Sequence, residues 1–327
     1  MKKRVIGELV LICLVLPTLY GQAWGEAAYP TKPIDFIVPY NPGGGADLTA
    51  RLLSGYFSKK MGVQLNVINK PGAGGVIGTR EALTGRPDGY TMLCESHATS
   101  SMLAAFQPGD LPFNWRKRTW IARMTKDPVI YQVRMDAPWR TLKEVAEYIK
   151  KNPKQLRWGA TGVSGVGSPA GIQFFHANNI SLEMINRVIF PGESPVMAAL
   201  AGGHIDFAGQ QYGPSWGMIE GKKVRPIAVI AGRRLPLLKD VPTVAEAGYP
   251  MLDVHGWHGL SGPPGLPKPV VDFWVRELEK AQKDPMFHEM AEKVKKEVAY
   301  LDSKEVEAFA VKEYEKYLAL AKDVGAK

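Results

Sequence analysis

Apolar positions along the chain follow strand-like and helix-like spacings in turn. Residues 33–40 form an apolar, alternating run typical of a buried strand, and residues 47–60 carry apolar side chains at helical spacing. Two more strands are predicted at 63–69 and 89–96, with a helix starting at Val76 between them. This order of strand, glycine-rich loop and helix predicts a parallel sheet covered by helices.

The same order occurs a second time, in residues 156–211. Strands are predicted there at 156–160, 184–190 and 204–211, with helical spacing between them. Pro71-Gly72 and Pro191-Gly192 take equivalent places, each between the end of a strand and the start of a helix. We therefore predict two similar α/β lobes.

Two segments are predicted to cross between the lobes, at 127–138 and 252–267. This places the first lobe at 26–131 with a return segment at 253–327, and the second lobe at 132–252. Two crossings define a hinge, and a ligand is expected in the cleft between the lobes, at the carboxyl ends of the strands.

After the second crossing the sequence predicts helices throughout, at 267–284, 285–298 and 303–323. The last helix begins with a capping box, in which Asp302 is the N-cap residue and Glu305 the third helical residue. Its apolar residues fall on one face, which predicts packing against a core.

The first 25 residues have the pattern of a secretory signal peptide. A basic start at 2–4 precedes an apolar stretch at 9–19, and residues 23–25 suit cleavage. An uncleaved anchor is the alternative, but the apolar stretch is short of the roughly 20 residues that a spanning helix needs. We expect export to the periplasm, which leaves Cys94 as the remaining cysteine and permits no internal disulfide.

The chain is moderately basic, with 41 Lys and Arg against 32 Asp and Glu and a formal charge of +9. A positive field favours anionic small molecules. The densest basic runs, 116–118 and 293–296, are short and lack interleaved aromatic residues, so nucleic acid is not expected as a partner.

Nucleotide and cofactor motifs are incomplete. No glycine pair has the Walker A spacing followed by Lys. Residues 165–170 match the spacing of a dinucleotide loop, but a suitable acidic residue is missing at the end of the next strand. No cofactor is predicted.

Candidate catalytic and metal-binding residues are isolated from one another. Ser164 misses the G-x-S-x-G elbow because Val166 stands at its last position. His255 and His258 are three apart, but nearby prolines and glycines argue against a shared helical metal site. His97 follows a predicted strand, where it either contacts a ligand or caps the next helix. We predict neither a metal site nor an enzyme.

What remains is a set of loops rich in Gly, Ser and Thr at predicted helix starts. A helix start presents unpaired N–H groups and a partial positive charge, which suit a carboxylate or phosphate. Similar loops in both lobes predict an anion site between them.

Eight motifs along the chain resemble one known family. In order they are "YPTKPIDFIVPYNPGGGADLTAR", "NKPGAGGVIGT", "PDGYTML", "GVSGVGS", "PGESPVMAALAGGHIDF", "KKVRPIAV", "DVPTVAEAGYP" and "WHGLSGPPGLP". They resemble the extracytoplasmic solute receptors of the tripartite tricarboxylate transporter family, also called Bug proteins. The resemblance implies a type II periplasmic binding-protein fold, with two α/β lobes and a two-crossing hinge. It also implies that backbone N–H groups, hydroxyls and waters hold a ligand carboxylate.

Carried over by position, the resemblance assigns ligand binding to loop residues of both lobes. They are Tyr40, Pro42, Gly43, Gly44, Gly45, Asp47, Gly72, Ala73, Gly74, Gly75, Ser96, His97, Thr99, Thr161, Ser164, Gly167, Ser168, Pro191, Gly192 and Asp206. Asp47 is expected to tie its loop or cap its helix, because a carboxylate repels an anionic ligand.

The sequence departs from the family pattern at several places. Gly171 stands where the family often has a histidine, and Tyr40-Asn41 replaces the usual Phe-Pro. The aromatic and amide-rich stretch 210–216 either shapes a pocket for an aromatic or larger acid or lies on the lobe surface.

Two functions are compatible with these features. The first is a monomeric periplasmic receptor that binds a small organic acid (a di- or tricarboxylate, an aromatic acid or an amino acid) and delivers it to membrane transporter subunits. The second is an exported hydrolase with the glycine loops as oxyanion hole, Ser164 or Ser168 as nucleophile, and His97 or His176 as base. The missing catalytic constellation favours the receptor.

Overall fold

The computed structural model describes residues 29–62, 64–107, 109, 111–162 and 165–323. The predicted signal peptide and Ser164 lie outside these residues. In the described part the strands are β1 (Ile34–Val38), β2 (Leu65–Asn69), β3 (Thr91–Ser96), β4 (Thr119–Asp127), β5 (Val129–Arg134), β6 (Arg157–Thr161), β7 (Asn186–Phe190), β8 (Phe207–Gln211), β9 (Val224–Ile230), β10 (Gly256–Gly262) and β11 (Glu297–Leu301).

Helices cover both faces of these strands. Within the described residues they are α1 (Gly45–Met61), α2 (Val76–Leu83), α3 (Leu103–Phe106), α4 (Leu142–Lys151), α5 (Gly167–Ala177), α6 (Glu193–Ala201), α7 (Tyr212–Glu220), α8 (Lys268–Ala281), α9 (Pro285–Lys293) and α10 (Ser303–Asp323). Short helical turns at Ala73–Gly75 and Ala98–Met102 precede α2 and α3.

The strands form two sheets that share one internal order. The first sheet runs β2-β1-β3-β10-β4-β11 and the second β7-β6-β8-β5-β9. In each, a central strand pairs in parallel with two neighbours, β1 with β2 and β3, and β6 with β7 and β8. An antiparallel strand follows, β10 beside β3 and β5 beside β8. The sequence repeat is thus a repeat of topology, and the prediction of two α/β lobes is confirmed.

The first crossing between the sheets occurs at Pro128. Strand β4 ends at Asp127 in the first sheet, and β5 begins at Val129 in the second. The predicted boundary after residue 131 therefore falls inside β5, because the apolar run 129–133 belongs wholly to the second sheet. The chain returns to the first sheet between β9 and β10.

The prediction of an all-helical C-terminal part is wrong at one place. Helix α9 ends at Lys293, and Lys295 has a left-handed φ of 57° that ends helical geometry. The chain then becomes extended, and β11 pairs antiparallel with β4 at the edge of the first sheet. Helix α10 follows with its predicted capping box, since Glu305 N donates to Asp302 Oδ1 and Asp302 N donates to Glu305 Oε2, each over 2.9 Å.

Each lobe has its own apolar core, which fixes the strand ends relative to the helix starts. Phe36, Phe57 and Trp274 pack in the first lobe, while Trp158 and Phe207 pack in the second. Cys94 is buried in the first core, as an apolar side chain of that size usually is. In the described part of the chain, no helix combines the length and apolarity needed to span a bilayer.

Candidate ligand-binding site

A cavity of about 310 Å³ lies between the two lobes. From the first lobe it is lined by Tyr40, Asn41, Gly44, Gly45, Ala46, Gly72, Ala73, Gly74, His97, Ala98 and His258. From the second lobe it is lined by Thr161, Gly162, Gly165, Val166, Ile189, Phe190, Pro191, Gly192, Glu193 and Gln211. Most of these residues follow or end β1, β2, β3, β6, β7 and β8, so the cavity occupies the carboxyl ends of the parallel strands of both sheets.

The first glycine loop brings the start of α1 to the cavity. Gly44 is the N-cap residue and makes no side-chain cap, so the first N–H groups of α1 have no hydroxyl or carboxylate of their own cap residue to bind. Asp47 ties this loop, because its Oδ2 accepts from Gly43 N over 2.9 Å and its Oδ1 from Asn69 over 3.0 Å. Burial opposes ionisation of Asp47, but hydrogen bonds from Arg51, Gly43 and Asn69 outweigh it and lower its pKa.

The second glycine loop turns sharply beneath Tyr40. Gly72, Gly74 and Gly75 all have left-handed φ values, of 140°, 66° and 104°. A Cβ atom at Gly75 would lie 2.8 Å from Tyr40 Oη, so only glycine lets the tyrosine ring sit against this turn. The loop therefore presents backbone to the cavity while it supports the Tyr40 side chain.

Two neutral histidines form the floor of the cavity on the first-lobe side. His97 Nδ1 lies 3.2 Å from Trp257 N and 3.4 Å from Trp257 O, so the Trp257 backbone fixes the orientation of the ring. Burial, and then the neighbouring His258, lower the pKa of His97 to about 3. His258 Nδ1 lies 2.9 Å from Asp127 Oδ2, and burial and Lys296 lower the pKa of His258 to about 4. Both rings are uncharged at neutral pH.

Beneath His258, a buried ion pair joins the hinge to the second lobe. Lys296 Nζ lies 2.7 Å from Asp127 Oδ2, and neither side chain is exposed to solvent. The same ammonium lies 3.5 Å from Gln211 Oε1, at the end of β8. Burial opposes ionisation of Asp127, but Lys296 and His258 outweigh it and lower the pKa of Asp127. This pair neutralises itself, so it adds no net charge below the cavity.

Direct contacts hold the two lobes together at the cavity. Gly45 N, at the start of α1, donates to Glu193 Oε2 of the second lobe over 2.7 Å. Ser194 Oγ donates to Pro42 O over 3.1 Å. A Cβ atom at Gly45 would lie 2.2 Å from Gln211 Oε1, so the lobes meet with no space for a side chain there. The described conformation is therefore a closed one.

Two hydroxyls at the cavity, one from each lobe, have no hydrogen-bond partner among the described residues. Tyr40 Oη interacts with the nearby Ser96 hydroxyl without reaching hydrogen-bond geometry, and Thr161 Oγ1 is likewise unpaired. A buried hydroxyl without a partner costs free energy. Tyr40 and Thr161 are thus candidates to hydrogen-bond a ligand or water.

Half of the assigned ligand-binding residues line the cavity. They are Tyr40, Gly44, Gly45, Gly72, Ala73, Gly74, His97, Thr161, Pro191 and Gly192. Pro42, Gly43, Asp47, Gly75, Ser96, Thr99, Gly167 and Ser168 lie in the loops and helix starts behind that lining. Ser164 is outside the described residues.

Asp206 stands apart from the cavity, and its assignment as a ligand-binding residue is corrected. Arg157 Nη2 lies 2.8 Å from Asp206 Oδ1, and Arg134 Nε lies 3.0 Å from the same oxygen. Burial of Asp206 is outweighed by its hydrogen bonds to Arg157, which lower the Asp206 pKa. Asp206 therefore anchors the start of β6 and the end of β5, and its oxygens are occupied by arginine.

Several lining residues were not predicted from the sequence to bind a ligand. Glu193 directly follows the assigned Gly192. It is the first residue of α6, and at that helix start it lines the cavity. His258 comes from β10, which joins the first sheet from the far end of the chain. Of the stretch 210–216, Gln211 lines the cavity.

The hydrolase constellation is not assembled in the described residues. Ser168 Oγ donates to Gly162 O over 2.7 Å, and among the described residues no histidine ring hydrogen-bonds to it. His97 is held by Trp257, and His176 is exposed on α5. No group of three His, Cys, Asp or Glu side chains in the described part of the chain is placed to hold a metal ion.

Comparison with known proteins identifies similar receptors. The family model described as "Tripartite tricarboxylate transporter family receptor" matches residues 49–326. A curated relative from Agrobacterium vitis, a UPF0065 protein in the TAR-I ttuE-ttuC' intergenic region, is 30% identical over 286 residues, which are 88% of this chain and 80% of the relative.

Solved structures of similar proteins cover nearly the whole chain. A periplasmic transporter is 32% identical with a TM-score of 0.86, covering 92% of this chain and 99% of its own. The periplasmic binding protein BugD is 29% identical with a TM-score of 0.84, covering 91% and 99%. MatC from Rhodopseudomonas palustris, solved with bound malate, is 24% identical with a TM-score of 0.82, covering 90% and 100%, and supports the fold. The chain belongs to the tripartite tricarboxylate transporter receptor family, which includes the Bug proteins.

Proposed function

We propose that this protein is a periplasmic solute receptor that captures a small organic carboxylate between its lobes and delivers it to a tripartite tricarboxylate-type membrane transporter. The proposal rests chiefly on the cavity that loops from the strand ends of both lobes enclose. Helix starts and the two unpaired hydroxyls of Tyr40 and Thr161 supply hydrogen-bond donors of the kind a carboxylate needs. The malate bound by MatC is a ligand of this chemical class.

The lobes can bind by closing on the ligand. The hinge consists of two crossings, and the contacts from Gly45 to Glu193 and from Ser194 to Pro42 lie at the cavity itself. A ligand that adds contacts to both walls stabilises the closed state relative to the open one. Closure then provides the shape difference by which a membrane transporter distinguishes loaded from empty receptor.

Thermal unfolding with a panel of carboxylates tests ligand capture. At a concentration about 100 times the dissociation constant, a ligand adds about 2.7 kcal/mol to the unfolding free energy. Sugars and simple cations at the same concentrations serve as controls. A shift with a sugar or cation and with no carboxylate would contradict the proposed ligand class.

Delivery is tested separately, by uptake of the radiolabelled ligand into cells of the source organism. We expect uptake to fall to background when the gene for this receptor is deleted and to return when it is restored. Unchanged uptake in the deletion strain would contradict the delivery role without contradicting ligand capture.

A further inference from the structure

The cavity carries one carboxylate that no positively charged side chain pairs with directly. Glu193 Oε2 accepts from Gly45 N over 2.7 Å, and Oε1 accepts from Gln211 N over 3.4 Å. Both donors are backbone N–H groups. Glu193 lines the cavity and keeps some accessible surface there, although protein atoms enclose the rest of the side chain.

Two buried cations of the first lobe are paired with other acids, whereas Arg187 of the second lobe donates to Gly162 O over 3.0 Å and pairs with no acid among the described residues. Lys296 is paired with Asp127 over 2.7 Å, and Arg118 is paired with the buried Glu95. Among the described residues, no lysine or arginine lines the cavity, and its two histidines are neutral. Burial raises the pKa of Glu193, while the N–H group of Gly45 and the ammonium of Lys296 act in the opposite direction. Glu193 is the only acidic side chain in the described lining of the cavity, and its ionised form gives the cavity a negative charge.

Glu193 also occupies a donor that would otherwise suit a ligand. Gly45 N is the first N–H of α1, and an anionic group at that position is stabilised by the helix start. A ligand carboxylate must use other donors, and it must lie in the same small cavity as the Glu193 carboxylate. Two like charges at such a distance repel strongly unless a positive group lies between them.

Part of the remaining lining is apolar, beside the polar side chains of Asn41, Gln211 and the two histidines. Val166, Ile189 and Phe190 of the second lobe face the cavity, together with Ala46 and Ala98 of the first. These side chains suit a ligand body without further charges. A ligand with two or three carboxylates would place its additional charges against apolar walls or against Glu193.

We propose that Glu193 selects an amino acid with an apolar side chain, its ammonium group hydrogen-bonded to Glu193, over di- and tricarboxylates. This inference rests on the proposed function and names its ligand class. The ammonium group neutralises the added charge, and its hydrogen bonds to an ionised carboxylate are of the strong, charge-assisted type. The one carboxylate of the ligand then accepts hydrogen bonds from N–H groups at the helix starts and from the hydroxyls of Tyr40 and Thr161.

The test uses two matched series of ligands in calorimetric titrations at pH 7.5. The first is leucine, 4-methylpentanoate and isobutylmalonate, in which the ammonium is replaced by hydrogen and then by carboxylate. The second is phenylalanine, 3-phenylpropanoate and benzylmalonate. Each series keeps one apolar body, so differences within it report the group that faces Glu193.

The wild type is expected to bind the amino acid of at least one series about tenfold more tightly than its deaminated analogue, since a charge-assisted hydrogen bond contributes that much or more. The malonate should bind more weakly still. In Glu193→Gln, which keeps the shape and removes the charge, the amino acid should lose about tenfold and the malonate should gain about tenfold.

Ser194→Ala is the matched control, because Ser194 makes the neighbouring contact between the lobes through its hydroxyl. It should weaken all three members of a series by the same factor. An equal change for all three ligands in Glu193→Gln, or a wild type that prefers the malonate, overturns the inference while leaving carboxylate capture intact. Binding of no carboxylate of any class overturns the proposed function itself.

Discussion

The two walls of the cavity are built on the same strand order but have different chemistry. The first-lobe wall combines glycine backbone and three alanines with Tyr40, Asn41 and two neutral histidines. The second-lobe wall has apolar side chains, Thr161 and the carboxylate of Glu193. Topology places loops at equivalent strand ends in both lobes, while the residues in those loops decide what each wall offers a ligand.

The difference matters because the walls meet directly. Gly45 of one wall donates to Glu193 of the other, and the Asp127–Lys296 pair reaches from the hinge to Gln211. A substitution in one wall therefore alters the contacts that the other wall makes. The following four substitutions separate fold, closure and ligand contact.

The largest effect is expected from Asp127→Asn at the hinge. It leaves the fully buried Lys296 without its counter-charge, and breaking a buried pair in this way costs about 3–5 kcal/mol. Urea unfolding measures the loss. Asp272→Asn is the control, because its pair with Lys268 is exposed and should contribute under about 0.5 kcal/mol. Equal losses in the two variants would contradict the role of the buried pair.

Gly45→Ala is expected to prevent the walls from meeting. The added Cβ lies 2.2 Å from Gln211 Oε1, and Gln211 is confined on its other side by Gly256. Ligand affinity should fall about 100-fold or more, which corresponds to about 2.7 kcal/mol. Ligand-free stability should stay the same or rise, since alanine favours a helix more than glycine does.

The control for this variant is Gly217→Ala on α7, where a Cβ meets no atom within 4 Å. It should leave ligand affinity unchanged. Retention of wild-type affinity by Gly45→Ala would mean that ligand binding does not require the contact between Gly45 and Gln211.

The neutral histidines of the first wall predict a dependence of stability on pH. The pKa of His97 is lowered from 6.5 to about 3, so the unfolded chain binds more protons between these values and stability falls as pH decreases from 6.5. From pH 6.5 to 5 the His97 contribution is about 2 kcal/mol. His97→Asn keeps an acceptor for Trp257 N and should reduce the loss.

Urea unfolding at several pH values measures this contribution. The exposed His176, changed to Asn, is the control and should leave the pH dependence as in the wild type. An identical slope in His97→Asn and the wild type would contradict the buried, neutral state of His97.

The smallest effect is expected from Tyr40→Phe, which removes one unpaired hydroxyl. Stability should be unchanged or higher by up to about 1 kcal/mol, because a buried group without a partner is removed. Ligand affinity should fall by up to about tenfold, the value of one hydrogen bond. A loss of stability with no loss of affinity would assign the hydroxyl to the fold instead of the ligand.

Periodicity and glycine placement were sufficient to predict the parallel strands, the repeat and the cavity at the strand ends. Those features depend on neighbouring residues in the chain. Strand β11 was missed because residues 294–298 also fit a helical spacing, and only pairing with β4 decides between the two. His258 and Lys296 were missed because they join the site from distant strands and loops.

The assignment of Asp206 failed for a related reason. The resemblance to the receptor family assigned Asp206 to the site by position, but Arg134 and Arg157 bind the carboxylate, and sequence alone does not show that they are neighbours. Glu193 is the opposite case, a residue that lines the cavity but was not assigned to it. Its place next to the assigned Gly192 was the available signal.

Calorimetric titration of the wild type and Gly45→Ala with the same set of carboxylates tests the central claim most directly. The wild type should bind at least one carboxylate with one site per chain, and Gly45→Ala should bind it at least about 100-fold more weakly while remaining folded. Failure of every carboxylate to bind the wild type, or equal binding by both proteins, would contradict the assignment of the cavity between the lobes as a carboxylate site.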